Sequence, residues 1–270
     1  LSTVTVQALA TDQLAVVSSG QLQSLTNTQI ASLTTSQAAA LSTAQIGALT
    51  TAQTAALETV DLAALTTLQI RAMETADLSV LSASQVGALL TSQAAALSTF
   101  QMTALTVAQV LALKTSQLSA LTTGQIQSLT SAQLVVLNSA QIVSLTTSQV
   151  AAFLTSQASA LSVSQIASLT TAQAAALTTF QLVSLASTQL VAITTGDLRA
   201  MSTTQLAALT SVQIGVLSTG QVSALATQGL QALTTLQVGA LTSAQAAAIF
   251  TTGLQALTTA QVQALSTNAL

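Results

Sequence analysis

Histidine and cysteine are absent from the 270 residues, and so are proline, tryptophan and tyrosine. Without histidine, the chain lacks the usual general base of serine and cysteine nucleophiles. Without cysteine, it has neither disulfides nor thiolate metal sites. Charged residues make up 3% of the chain, and three of them are basic. No basic stripe is present to neutralise phosphates, so we expect no nucleic-acid partner.

Long apolar runs are also missing, although half of the residues are hydrophobic and the mean hydropathy is +0.71. A transmembrane helix needs about 20 mostly apolar residues in a row. Here Thr, Ser or Gln interrupts every apolar run after a few residues, so we expect no transmembrane segment. The chain starts at Leu1 without a methionine, and we interpret it as an interior segment of a longer protein.

An eight-residue pattern fills the chain from end to end. Residues 257–264 show it: Leu, two Thr or Ser, a variable residue, Gln, an aliphatic residue, a variable residue and Ala. Thirty-three octads and a partial unit of six residues make up residues 1–270 without an insertion or deletion. Because the register never changes, we predict one continuous repeat array over 1–270.

Each octad carries the signals of a short helix. Thr146 and Gln149 have the spacing of a capping box, in which Thr accepts the third helical N–H and Gln reaches back to the cap N–H. Leu145 and Val150 are placed as a hydrophobic staple around it. At some octads the second position cannot cap, and the Thr that follows is the predicted substitute, as after Leu90, Lys114, Leu154 and Phe250.

The octad fits neither a long straight helix nor a heptad coiled coil, because eight residues advance a helical pattern by roughly 80°. We predict an all-α solenoid of very short capped helices, one per octapeptide repeat, with the Leu, aliphatic and Ala positions in its core. One octad cannot offset the entropy lost on ordering its eight residues, so octads must stack. The alternative is a β-solenoid with Thr and Gln ladders, since Thr, Val and Ile favour strands. The number of octads per superhelical turn does not follow from the sequence.

Acidic residues are the main candidates for chemistry, because five of the nine charged residues lie close together: Glu58, Asp61, Arg71, Glu74 and Asp77. A carboxylate pair of Asp61 and Asp77 would indicate acid–base catalysis. The favoured interpretation is structural, because these two residues and Asp197 replace Gln at the fifth position. A carboxylate there caps a helix and suits its dipole. We expect no catalytic, cofactor-binding or metal-binding residue, since scattered Asp residues do not form a calcium site.

Glycine and phenylalanine interrupt the pattern at a few positions. Gly229 and Gly253 stand in place of Gln, either as a bend or contact site or as tolerated variation. Phe153 takes a core Leu position and is predicted to be buried. Phe100 and Phe180 share the variable fourth position and are candidate contacts for a neighbouring molecule.

The tandem unit Leu-Thr-Thr-Ala-Gln-Val-Gln-Ala-Leu resembles the low-complexity repeat tracts of large bacterial secreted or surface proteins of the adhesin kind. The resemblance implies an extracellular or cell-surface location and a role as a rigid stalk or fibre-forming segment. It transfers no functional residue. Low surface charge predicts self-association, either as filaments or side by side. The alternative function is a binding module that presents Thr and Ser rows to ice, carbohydrate or a protein partner. We expect no enzymatic activity, no cofactor and no small-molecule ligand.

Overall fold

A computed structural model shows two compact units, residues 1–137 and residues 138–270. The structure describes residues 2–249 and 251–265, without the side chain of residue 252. In this part of the chain every octad forms one helix of five or six residues, and no strand occurs. The predicted all-α solenoid of short helices is confirmed, and the β-solenoid alternative is wrong. The continuous array over 1–270 stays a prediction, and residues 266–270 of its partial unit lie outside the described residues.

The first unit contains these helices: α1 (Thr3–Gln7), α2 (Thr11–Ala15), α3 (Ser19–Gln23), α4 (Asn27–Ala31), α5 (Thr35–Ala40), α6 (Thr43–Gly47), α7 (Thr51–Ala56), α8 (Thr59–Ala64), α9 (Thr67–Ala72), α10 (Thr75–Val80), α11 (Ala83–Ala88), α12 (Thr91–Ala96), α13 (Thr99–Ala104), α14 (Val107–Leu111), α15 (Thr115–Ala120), α16 (Thr123–Ser128) and α17 (Ser131–Val135).

The second unit contains these helices: α18 (Ser139–Ser144), α19 (Thr147–Ala151), α20 (Thr155–Ala160), α21 (Val163–Ser168), α22 (Thr171–Ala176), α23 (Thr179–Ser184), α24 (Ser187–Ala192), α25 (Thr195–Ala200), α26 (Thr203–Ala208), α27 (Ser211–Gly215), α28 (Thr219–Ala224), α29 (Thr227–Ala232), α30 (Thr235–Gly239), α31 (Ser243–Ala247), α32 (Thr251–Ala256) and α33 (Thr259–Ala264). Over the described residues of both units, no helix is long and apolar enough to cross a membrane.

The second residue of the octad is the N-cap. Before α19, Thr146 has extended backbone angles (φ −72°, ψ 158°), and its hydroxyl accepts the Gln149 N–H at 3.2 Å. Gln149 Oε1 in turn accepts the Thr146 N–H at 2.7 Å. The predicted staple residues Leu145 and Val150 are both buried. Many of the helices end at the next Leu, where the chain takes extended angles, as at Leu57 (φ −61°, ψ 136°).

The third residue does not take over the cap where the second cannot serve. Leu90, Lys114 and Leu154 remain N-caps without a side-chain hydrogen bond, and the following Thr is the first helical residue. The predicted substitution is therefore wrong. Gln holds the register there, since Gln93 Oε1 still accepts the Leu90 N–H at 2.7 Å. The same prediction at Phe250 lies outside the described residues.

The core consists of the first, fifth and sixth positions of the octad. Between Leu33 and Ile249, Leu at the first and the aliphatic residue at the sixth position are buried, as predicted. Ala at the eighth position is half-buried or exposed in most octads, with Ala224 as a buried exception. Gln takes the place in the core that was predicted for Ala. A polar side chain is tolerated there because the backbone satisfies its hydrogen bonds.

Within each unit, a helix packs chiefly against the third helix before it and the third helix after it, as α12 does against α9 and α15. The Gln side chain reaches further back. Gln69 in α9 donates from Nε2 to the Leu41 carbonyl at 2.5 Å, just beyond the end of α5. A superhelical turn therefore holds between three and four octads.

Candidate functional site

The fifth-position Gln amide is the polar group that recurs throughout the core. Gln125 is 2% exposed, and its Oε1 accepts the Thr122 N–H at 2.7 Å. Its Nε2 donates to the Ala94 carbonyl at 2.9 Å and to the Leu97 carbonyl at 2.8 Å. One amide thus satisfies the start of its own helix and the end of an earlier helix, 28 and 31 residues back. These hydrogen bonds hold the two helices together, and they leave the buried amide inaccessible to a reactant.

Asp197 replaces this Gln and keeps the capping function. Its Oδ2 accepts the Thr194 N–H at 3.1 Å and the Thr194 hydroxyl at 2.7 Å. The Asp197 N–H donates to Thr194 Oγ1 at 3.2 Å, which completes the capping box. The predicted structural role of Asp197 is confirmed. Arg199 lies two residues further on and donates from Nε to the Ala224 carbonyl at 3.2 Å.

Asp61 does not keep the capping function, so the prediction for this residue is wrong. Glu58 is the N-cap of α8 without a side-chain cap bond, and Asp61 Oδ2 is buried with no hydrogen-bond partner. Burial raises the pKa of Asp61 to about 6, and the charge of Glu58 adds to this effect. The Glu58 backbone N–H acts in the opposite direction and lowers the pKa. Asp lacks the amide donor, so the Gln bonds to earlier carbonyls are not reproduced. The N-cap here is Glu58, which has no hydroxyl of the kind that Thr194 donates to Asp197.

Asp77 forms no capping box with the N-cap Glu74, so the capping prediction is also wrong for this residue, and Asp77 is not a partner of Asp61. Burial raises the pKa of Asp77, the Glu74 backbone N–H lowers it, and the Glu74 charge raises it. The two Asp residues lie on helices with different main neighbours, because α8 packs on α5 and α11 while α10 packs on α7 and α13. No group of three or more His, Cys, Asp or Glu among the described residues could hold a metal ion.

The Thr and Ser rows divide into two kinds. At the second position the hydroxyl is used as a cap acceptor in most octads, as at Thr50, which accepts the Gln53 N–H at 3.2 Å. At the third position the side chains are mostly exposed. Thr51, Thr75 and Thr99 begin α7, α10 and α13, which pack on one another in that order, and all three are exposed. The first unit therefore presents a row of exposed threonines.

The aromatic residues are distributed between core and surface. Phe153 is 4% exposed, which confirms its predicted core position. Phe100 and Phe180 are 81% and 77% exposed, and their contact with a neighbouring molecule stays a prediction. Phe250 lies outside the described residues. Sequence reasoning missed Thr54, which occupies the aliphatic sixth position with a buried hydroxyl that has no hydrogen-bond partner.

The two Gly residues that replace Gln each border a cavity. The cavity at Gly229 measures about 310 Å³ and that at Gly253 about 130 Å³. Leu206 Cδ1 lies 2.9 Å from the place where a Cβ of residue 229 would stand, and Leu230 Cδ1 lies 2.7 Å from the corresponding place at residue 253. The tip of a Leu side chain thus covers each glycine. The feature of the sequence that could have indicated the cavities is the absence of Gln at these two positions.

Comparison with known proteins matches four segments of the chain to the model of the ALTTAQ repeat: residues 18–51, 54–91, 72–107 and 190–227. No curated protein matches the chain. The Ala-Leu-Thr-Thr-Ala-Gln string, as in residues 48–53, runs from the end of one octad to the fifth position of the next. It spans the staple Leu, the N-cap and the amide that joins successive turns. The matched segments form a repeat region of the ALTTAQ type, as expected for a structural repeat protein.

Proposed function

We propose that the chain is a rigid structural segment, a stalk or fibre-forming part of a secreted bacterial surface protein. The buried Gln amides carry this proposal, because they bond successive turns in one octad after another. Gln93, Gln101 and Gln109 each donate to carbonyls 28 and 31 residues earlier, at 2.7 to 3.0 Å. Repeat solenoids gain stability from such contacts between neighbours. The role needs no catalytic residue, and we propose none.

Rigidity can be measured with labels attached to two introduced cysteines, because the chain has no cysteine of its own. Spin labels on Thr51→Cys and Thr123→Cys, both exposed positions of the first unit, should give one narrow distance distribution in a pulsed electron-spin experiment. Removing a buried amide between them, by Gln101→Ala, should broaden it. The rigid-segment proposal fails if the parent pair already gives the broad distribution of a flexible linker.

Self-association is the second part of the proposal. Phe100 in the first unit and Phe180 in the second are each exposed, and the chain has few charges, so little electrostatic repulsion opposes contact between copies. Sedimentation over a concentration series should show association at low and high salt, and Phe100→Ser with Phe180→Ser should weaken it. A monomer at every concentration and salt level would mean that the surface is inert.

The extracellular location rests on the resemblance to adhesin-like repeat tracts and on the absence of cysteine. Protease treatment of intact host cells provides the test. Digestion of the repeat segment without lysis supports the proposal, and full protection until lysis contradicts it.

A binding module is the second candidate function, favoured by the exposed row of Thr51, Thr75 and Thr99. A regular row of hydroxyl and methyl groups would suit a periodic partner such as ice or carbohydrate. Thermal hysteresis and glycan binding can be compared between the parent chain and Thr75→Lys, which places a charge in the middle of the row. Activity lost in Thr75→Lys favours the binding function, whereas an inactive parent chain rejects it.

A further inference from the structure

The cavity at Gly229 borders the place where the repeat normally holds a Gln side chain, and the Leu206 tip covers the start of that place. The flanking helices show the normal arrangement. In α28, Gln221 Nε2 donates to the Leu190 carbonyl at 3.0 Å and to the Ile193 carbonyl at 2.8 Å. In α30, the corresponding distances from Gln237 are 2.9 Å and 2.6 Å. The same register assigns the amide of residue 229 to the carbonyls of residues 198 and 201, but glycine has no amide to donate.

The backbone groups that Gln would have paired border this cavity. Leu198, Met201, Ala226 and Gly229 all line it. The Leu198 carbonyl keeps one donor, the Met201 N–H at 3.3 Å. Among the described residues no donor reaches the Met201 carbonyl, and the Ala226 N–H has no acceptor. In α30 the corresponding N–H, that of Thr234, donates to a Gln Oε1 at 2.6 Å.

The unpaired groups define what would fit. The carbonyls of Leu198 and Met201 can accept an N–H donor, and the N–H of Ala226, an exposed residue, can donate to an acceptor. A carboxylate offers no donor and would face the negative ends of carbonyl dipoles, while a hydrocarbon would leave every group unpaired. A primary carboxamide supplies both kinds of group from one planar unit. The volume of about 310 Å³ is at the lower end of the range for small-molecule sites.

We propose that the cavity lined by Leu198, Met201, Ala226 and Gly229 binds a primary carboxamide group. Its NH₂ donates to the Leu198 and Met201 carbonyls, and its oxygen accepts the Ala226 N–H. The carboxamide comes either from a small free amide or from a Gln side chain of another protein. The proposal goes beyond the structural role and is independent of it, and it departs from our expectation of no small-molecule ligand.

Methionine NMR provides a direct test, because the chain has three methionines. Met201 lines the cavity, while Met73 and Met102 are buried in the first unit and act as internal controls. Propionamide, which has the skeleton of a Gln side chain, should shift the ¹³C-methyl signal of Met201 saturably and leave the other two in place. Propionate and N,N-dimethylpropionamide, which lack the NH₂ donor, should bind at least about tenfold more weakly.

The Gly229→Gln variant should abolish the Met201 shift, because its own amide fills the cavity once the flexible Leu206 tip turns aside. Gly220→Gln introduces the same side chain at an exposed position of the same unit and should bind like the parent chain. No saturable shift of Met201, an equal response to propionate, or an unchanged response in Gly229→Gln would each overturn the proposal. If Gly229→Gln fails to fold, the comparison of the three small probes on the parent chain decides.

A Gln-containing tripeptide, with its Glu counterpart as control, separates the two sources of the carboxamide. Saturation of the Met201 shift at lower concentration by the Gln tripeptide than by propionamide supports a protein side chain as the occupant. Saturation at equal or higher concentration supports a free amide. A response to the Glu tripeptide equal to that of the Gln tripeptide counts against carboxamide recognition.

Discussion

Removing one buried amide should destabilise the fold far more than removing an exposed one. Gln237 is 2% exposed. Its side chain accepts the Thr234 N–H at 2.6 Å and donates to the Leu206 carbonyl at 2.9 Å and the Leu209 carbonyl at 2.6 Å. Gln231 lies one helix earlier and is exposed, and its side chain makes one hydrogen bond, to the Ala256 carbonyl at 3.0 Å. Gln237→Ala and Gln231→Ala are therefore a matched pair.

The magnitude follows from the groups that each variant leaves unpaired. In Gln237→Ala the Leu206 carbonyl keeps the Leu209 N–H as its donor at 3.3 Å. The Thr234 N–H and the Leu209 carbonyl have no other partner among the described residues. The Leu209 carbonyl lies in a buried bond and costs about 1–3 kcal/mol when unsatisfied, whereas the N–H of the exposed residue Thr234 can turn to water and adds at most about 1 kcal/mol. The free energy of unfolding should therefore fall by roughly 1–4 kcal/mol. Gln231→Ala exposes its partner to water and should cost at most about 1 kcal/mol.

Urea unfolding followed by far-UV circular dichroism compares the two variants, and hydrogen exchange localises the effect. Gln237→Ala should lower the unfolding midpoint clearly and increase exchange at the amides of α30 and of the segment after α26. Gln231→Ala should leave both close to the parent chain. Equal midpoints for the two variants would refute the reasoning, because the buried amide would then contribute no more than a surface side chain.

Four further predictions follow from individual octads. The raised pKa of Asp61 means that its protonated form stabilises the folded state, a contribution fully present below about pH 4 and lost as pH rises through about 6. In thermal melts at several pH values, the midpoint of the parent chain should therefore fall relative to that of Asp61→Asn as pH rises from about 4 through about 6. Thr54→Val removes a buried hydroxyl without a partner and should raise the free energy of unfolding by about 1–3 kcal/mol in urea titrations. Leu90→Thr restores a missing cap bond and should add about 1 kcal/mol in the same assay, whereas a loss would show that the cap position is misassigned. Deleting the octad 145–152 should change the melting temperature little. Deleting Thr147 alone should lower it strongly, because every later octad then shifts out of register. Similar melting temperatures for the two deletions would contradict this.

Local structure could be predicted from the sequence because its determinants lie within one octad. The capping box of Thr146 and Gln149 and the staple of Leu145 and Val150 connect residues three to five positions apart, so their spacing specifies where a helix begins. The same spacing excluded long helices. The sequence lacks His and Cys, and its Asp residues are scattered. These features argued against nucleophilic catalysis and metal binding before any contact was known.

Only the tertiary structure decided what the Gln amide does beyond its own helix. Its Nε2 bonds carbonyls 28 and 31 residues earlier, as from Gln125 to Leu97 and Ala94, a separation at which a uniform eight-residue repeat marks no preferred partner. For this reason three features did not follow from the octad: the number of octads per turn, the exposed or half-buried state of most eighth-position Ala residues, and the buried Asp61 carboxylate. The cavity at Gly229 was equally hidden, because a missing side chain matters only through the distant carbonyls that it would have paired.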